Sequence, residues 1–394
     1  MSDVGSMPPP AQPPPAQPPP AQPPKRKRAW RLVVAAVVVA ALAVPAVALL
    51  LRADPERRDP ATPRESRDEE LTFVHPTSSD SLPIEPDSSG ALFLQWDPSG
   101  TELAYVKGAD IWVLGEDGES RNLTETPQRV ESFPSWSPDG TQLAFASRRL
   151  LEGEEPQGLT GPAGELTLVS EDGSGYQVVG EGPMLWPPSW SREGRRIAYA
   201  RGDTLEVLDP RTDDRRSFTS GDLGLDDAAF VAGPVWSPKH DEVALYFSES
   251  SQEPSREELL AGTAPAVRQG FAIVTPGTRG ATVVFEYRAP FLPATPVQWS
   301  PDGKTLLINL ASSPVSGNPV GLWLADPDGT KAERVERVAA YQAVWSPSGN
   351  RIAYIDLDER RILLIDSGSL EGVAEPGPER GVEGIAWRPE GDGE

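Results

Sequence analysis

The chain has 394 residues, enough for one large or two ordinary domains, and 24% charged with 38% hydrophobic residues is a globular balance. It has no cysteine, which excludes disulfides, thiol nucleophiles, Cys-ligated zinc, iron–sulfur clusters and a lipobox-type lipid anchor, and its two histidines, His75 and His240, exclude a histidine-clustered site. The net charge of −23 is uneven: Lys25, Arg26, Lys27, Arg28 and Arg31 face only Asp3 in the first 31 residues, leaving 31 basic and 58 acidic residues beyond them, so nucleic acid is not an expected partner.

Residues 1–29 begin with a run in which PPPAQ recurs, a composition that buries nothing and predicts a polyproline or disordered tail. It ends in the basic cluster KRKR. Residues 30–52 follow as a candidate transmembrane signal anchor. Leu32 to Leu51 are twenty residues without a charge, just enough to span a hydrocarbon core, with Trp30 at the interface and Pro45 tolerated in lipid. Ala46-Val47-Ala48 also fits a signal-peptide cleavage site, so secretion after cleavage is the alternative. Five basic residues stand on each side of the span. Those before it are packed within seven positions and those after it are interspersed with acids, which favours a cytoplasmic N-terminus and an extracytoplasmic body. Residues 53–90 read as a stalk rich in Pro, Ser, Asp and Glu.

From residue 91 to 394 the chain repeats itself. Copies are headed by Trp96 (LQWDPSGTELAYV), Trp136 (PSWSPDGTQLAFA), Trp190 (PSWSREGRRIAYA), Trp236 (PVWSPKHDEVALY), Trp299 (VQWSPDGKTLLIN), Trp345 (AVWSPSGNRIAYI) and Trp387 (IAWRPEGDGE), at spacings of 40, 54, 46, 63, 46 and 42. The apolar stretch ending in Trp predicts a buried strand. Ser-Pro-Asp-Gly then turns the chain, with Pro fixing φ and Gly accepting positive φ, and a second strand such as Gln142 to Ala146 returns. Third strands (Asp110 to Leu114, Thr204 to Leu208, Gly321 to Ala325, Arg361 to Ile365) and weaker fourth strands complete a blade, so an all-β propeller is predicted. Six Trp copies head full four-strand sets, giving six blades, with the last strand, Glu383 to Trp387, closing the ring beside the first blade; a seventh blade requires strands from residues 70–94, where Leu71 to Val74 and Ala91 to Gln95 are candidates.

These turns resemble the TolB-like family of WD-type propeller repeats, marked by Trp-Ser-Pro-Asp-Gly followed by a Leu/Ile-Ala-Phe/Tyr strand. The resemblance covers roughly residues 91–391. It implies a propeller outside the cytoplasm that binds a protein, peptide or cell-wall component. TolB itself carries a further α/β domain ahead of its propeller, for which the 38 residues between anchor and first blade are too few, so TolB's own partners do not carry over.

Insertions concentrate between second and third strands (Arg148 to Gly164, Ser248 to Gln269, Ala311 to Val320) and in one acidic inter-blade loop, Gly221 to Gly233, whereas every first turn is short. In a propeller these long loops share one face, so that face is the expected recognition surface, with Arg148, Arg149, Asp226, Asp227, Arg256, Glu257, Glu258 and Arg268 as its charged candidates. No catalytic constellation emerges: there is no Gly-x-Ser-x-Gly elbow, His240 sits in a turn, and Asp326-Pro327-Asp328-Gly329 lacks the remaining ligands of a calcium loop. The expected protein is therefore non-catalytic, without cofactor or resident metal. The alternative is a propeller hydrolase or lyase using loop-face carboxylates, with or without a divalent metal.

Overall fold

The computed structural model describes residues 71–74, 93–150, 164–184, 186–250, 255–290, 297–310, 321–336, 340–356, 362–370, 372–373 and 384–389. The tail (1–29), the candidate anchor (30–52) and most of the stalk (53–90) lie outside them. Among the described residues no helix is long and apolar enough to cross a membrane.

Strand β1 (Leu71–Val74) precedes six four-stranded antiparallel sheets. Blade one is β2 (Gln95–Trp96), β3 (Glu102–Lys107), β4 (Asp110–Gly115) and β5 (Ser120–Asn122). Blade two is β6 (Arg129–Trp136), β7 (Gln142–Arg149), β8 (Glu165–Ser170) and β9 (Gln177–Gly180). Blade three is β10 (Ser189–Trp190), β11 (Ile197–Arg201), β12 (Thr204–Asp209) and β13 (Asp214–Thr219). Blade four is β14 (Phe230–Trp236), β15 (Val243–Ser248), β16 (Ala266–Val274) and β17 (Ala281–Pro290), with helix α1 (Arg256–Ala261) between its second and third strands. Blade five is β18 (Gln298–Trp299), β19 (Leu306–Leu310), β20 (Gly321–Ala325) and β21 (Ala332–Glu336). Blade six is β22 (Ala340–Trp345), β23 (Arg351–Asp356), β24 (Ile362–Asp366) and β25 (Gly372–Val373).

The last strand, β26 (Gly384–Trp387), pairs with β1 in a separate two-stranded sheet and packs against β22 and β23 of blade six and β2 of blade one. Six full blades and a seventh, two-stranded position thus close the ring. A strand within the predicted stalk is part of the propeller, because β26 would otherwise leave its ladder groups unpaired at the seam.

Second strands are buried on both faces, as in Leu103 to Val106 and Val243 to Ser248, because each sheet is sandwiched between its neighbours. Apolar clusters therefore fill the gaps between blades. One joins Val113 and Ile111 of blade one to Trp136 and Phe145 of blade two; another joins Ala353 and Ile355 of blade six to Ile385 and Trp387. Each large aliphatic or Phe side chain so buried contributes about 1.5–3 kcal/mol. The repeated Trp also ties neighbours by hydrogen bonds. The indole N–H donates to the carbonyl of the residue before the preceding Trp: Trp136 to Gln95 (3.2 Å), Trp190 to Ser135 (3.0 Å), Trp299 to Val235 (3.0 Å) and Trp387 to Val344 (3.4 Å).

Candidate functional site

The two faces of the ring use their polar residues differently. On the face of the first turns, each hairpin closes on itself. Ser137 N–H donates to Gln142 O (2.8 Å), Gly140 N–H returns to Ser137 O (2.9 Å) and the Ser137 hydroxyl donates to Asp139 (2.6 Å). The blade-five turn repeats this with Ser300, Gly303 and Asp302. Those serine hydroxyls hold the Asp139 and Asp302 carboxyls below the ordinary aspartate range. An open depression of about 1060 Å³ lies on this face between blades one and two, lined by Asp97, Glu102, Arg121, Asp139, Glu171 and Asp172. Four of its five acids already have partners, Asp139 as above. Asp97 accepts from the backbone of Thr101 and Glu102 (both 2.7 Å), Asp172 from Ser174 N–H (2.9 Å), and both oxygens of Glu102 accept from Arg121 Nη2 (2.8 and 2.9 Å). Among the described residues no group of three or more His, Asp or Glu side chains is placed to hold a metal ion.

The other face gathers the connections between second and third strands and those between blades. Hydrogen bonds show the two kinds meeting, as in Glu131 N–H to Ala109 O (2.8 Å), Leu150 N–H to Gln128 O (2.8 Å) and Val231 N–H to Gly202 O (2.9 Å). All eight predicted charged residues lie on elements that reach this face, in two groups: blade two, and blade four with the loop leading into it. Three of them belong to strands rather than loops. Arg148 and Arg149 end β7, opposite Val130 and Arg129, and Arg268 lies within β16 opposite Arg288, because the ladders run past the point where the repeat pattern stops. Arg268 is engaged by Glu286 (3.0 Å) and lies over the Phe247 ring (5.1 Å). Glu258 is engaged as well. Its carboxylate accepts from Ser255 N–H and Oγ (2.7 Å each) while Ser255 Oγ accepts from Glu258 N–H (3.2 Å), a reciprocal cap at the start of α1.

The remaining candidates are presented differently. Arg256 begins α1. Arg149, Asp226, Asp227 and Glu257 are exposed, and their side chains have no hydrogen-bond or ion-pair partner among the described residues. The loop holding Asp226 and Asp227 is firmly seated: Leu223, Leu225 and Ala228 are buried against blades three and four, and Leu225 N–H bonds Ser220 O (2.9 Å).

A polar cluster that the repeat pattern hides sits beneath this face, between blades one and two. Glu131 of β6 is fully buried. Its Oε1 accepts from the Thr126 hydroxyl (2.7 Å) and the Tyr176 hydroxyl (3.0 Å), with Thr124 a further nearby donor, whereas its buried Oε2 has no partner at hydrogen-bond distance among the described residues. Behind Tyr176 stands a chain of donors: Arg129 Nε to Ser147 Oγ (2.6 Å), then Ser147 Oγ to Tyr176 (2.6 Å). Thr126 also binds Asp110 of β4 through its backbone N–H (3.2 Å). Burial pushes the Glu131 carboxyl above the usual glutamate range against the opposing effect of its hydroxyl donors, with the Asp110 charge adding to the rise. Burial, then the neighbouring Glu131, also raises Tyr176, so it stays a proton donor. The sequence signal for this cluster is slight, one acid among the Trp-headed first strands, in RVESFPSW.

The architecture defines a β-propeller, as the Trp repeats predict, and TolB proteins are among its structural neighbours. TolB from Acinetobacter baumannii aligns at 15% identity and a TM-score of 0.45, over 78% of this chain and 68% of that one. Oligogalacturonate lyase from Vibrio parahaemolyticus aligns at 15% identity and a TM-score of 0.48, over 72% of each chain. In sequence, an uncharacterized peptidase, YuxL, of Bacillus subtilis (strain 168) is 31% identical over 115 residues, 26% of this chain; the match spans only 16% of that peptidase. No family model matches the sequence.

Proposed function

We propose that this is a membrane-anchored, non-catalytic propeller that binds a protein, peptide or cell-envelope component through its long-loop face. Residues 30–52 serve as the anchor, with the N-terminus cytoplasmic and the propeller outside. One observation carries the binding reading: Arg149, Asp226, Asp227 and Glu257 are charged, exposed and without a side-chain partner among the described residues, whereas Asp139 and Asp302 on the turn face are held within their own hairpins. Unpaired charges on a fixed support favour recognition by electrostatic complementarity. The exposed acids favour a partner surface with basic groups.

The test is a photo-crosslinking residue placed in intact cells at Asp226 or Glu257 on the loop face and at Lys304 or Asp328 on the turn face. A discrete adduct formed from the loop-face positions alone supports the reading. Adducts from turn-face positions, or from none, overturn it.

A further inference from the structure

The geometry points to Glu131 as a proton-operated latch at the root of the long blade-two connection: as the neutral acid it fastens blade one to blade two, and as the carboxylate it loosens that seam. Four observations meet here. The side chain is fully excluded from solvent. Its one satisfied oxygen, Oε1, is reached from both sides of the seam, by Thr126 on the inter-blade segment and by Tyr176 of blade two. Its other oxygen is buried with no partner among the described residues. Among the described residues no cation pairs with it, since the Arg129 guanidinium on the same strand is engaged by Ser147 and by Glu165 of β8 (3.2 Å).

The charged and titratable groups around it set the direction. Asp110, from β4, opposes a second negative charge. Tyr176 and Thr126 donate to Oε1 and, with Thr124 nearby, favour the carboxylate, and the Arg129–Ser147–Tyr176 chain orients its donors toward it. Arg148 lies beside Ser147 in β7, and Glu165 stands behind Arg129. A buried carboxylate with one bare oxygen and a like charge nearby is stable only if water enters. The proton therefore leaves to solvent as water enters. The entry point is where Gln128 holds Leu150 and Arg129 faces Arg149, so hydration there frees Leu150 and the end of β7.

Amide hydrogen exchange of the full-length chain, corrected for the intrinsic pH dependence of exchange, tests this. In the wild type, protection of residues 124–131 and 147–150 is expected to fall as pH rises through one midpoint, while blades four to six stay constant. Glu131→Gln should remain protected throughout. Asp110→Asn, which removes the like charge, should move the midpoint to lower pH; Tyr176→Phe, which removes a donor to the carboxylate, should move it higher. A pH-independent wild type, an unchanged response in Glu131→Gln, midpoints unmoved in both other variants, or a response abolished by chelating divalent ions each overturns the latch. The last two variants keep the test decisive should Glu131→Gln fold poorly.

Discussion

Leu71 lies directly opposite Trp387, in the relation that Leu103 bears to Trp96, Leu143 to Trp136, Ile197 to Trp190, Val243 to Trp236, Leu306 to Trp299 and Ile352 to Trp345. Strand β1 thus supplies the second strand of the seventh position, and the two ends of the propeller close the ring together. Arg388 adds to the seam, donating to Gly100 O (2.6 Å), pairing with Glu116 and lying over the Trp96 ring (5.2 Å).

Ring closure through β1 predicts that a chain beginning at residue 91, the boundary the repeats suggest, is less stable than one beginning before Leu71. Its thermal midpoint should fall and its unfolding should broaden. Trp387→Ala should cost about 3–5 kcal/mol in urea unfolding of the full chain, since a buried aromatic and its hydrogen bond are lost together. Equal midpoints for the two chain lengths would exclude this closure.

The seam also separates two otherwise equivalent glycines. Gly100 and Gly140 have φ of 73° and 72°, so alanine at either is strained by about 1 kcal/mol. A Cβ on Gly140 would meet nothing nearer than Pro98 at 3.7 Å, whereas one on Gly100 would stand 2.9 Å from the Pro389 carbonyl oxygen. Gly100→Ala is expected to be the more destabilising of the two by calorimetry; equality would mean that residues 388–389 do not pack there.

Acid and base act on different parts of the ring. Asp139 and Asp302 titrate below their unfolded value of 3.8, so their contribution is present above pH 3.8 and is lost as pH falls through their folded values. Glu131 titrates above its unfolded value of 4.5, so its contribution is complete below pH 4.5 and is lost as pH rises through the folded value. In urea midpoints measured against pH, Ser137→Ala and Ser300→Ala should flatten the acid limb only, and Glu131→Gln the alkaline limb only.

Helix α1 offers a separation of support from recognition. Ser255→Ala removes the two cap hydrogen bonds that use the hydroxyl and should destabilise α1 locally by about 1 kcal/mol, seen as faster amide exchange over 256–261 with no change in global unfolding. Glu257→Gln should leave that exchange unchanged. If Glu257→Gln frays the helix as much as Ser255→Ala does, Glu257 is a support and not a contact residue.

The hairpins were legible because their chemistry is local. Trp, Ser, Pro, Asp and Gly act on residues at most five positions away, as the Ser137-to-Gln142 closure shows, so the sequence by itself determined the blades, their order and the face on which loops accumulate. It placed Arg148, Arg149 and Arg268 in loops because strand length depends on the facing ladder, whereas the Ser255-to-Glu258 cap is a four-residue pattern that the sequence also carries. Only the tertiary structure decided the rest: that Leu71–Val74 pairs with the opposite end of the chain, and that Glu131 is sealed between two blades. Strand partnership and desolvation are properties of atoms brought together from distant segments, and no stretch of consecutive residues specifies them.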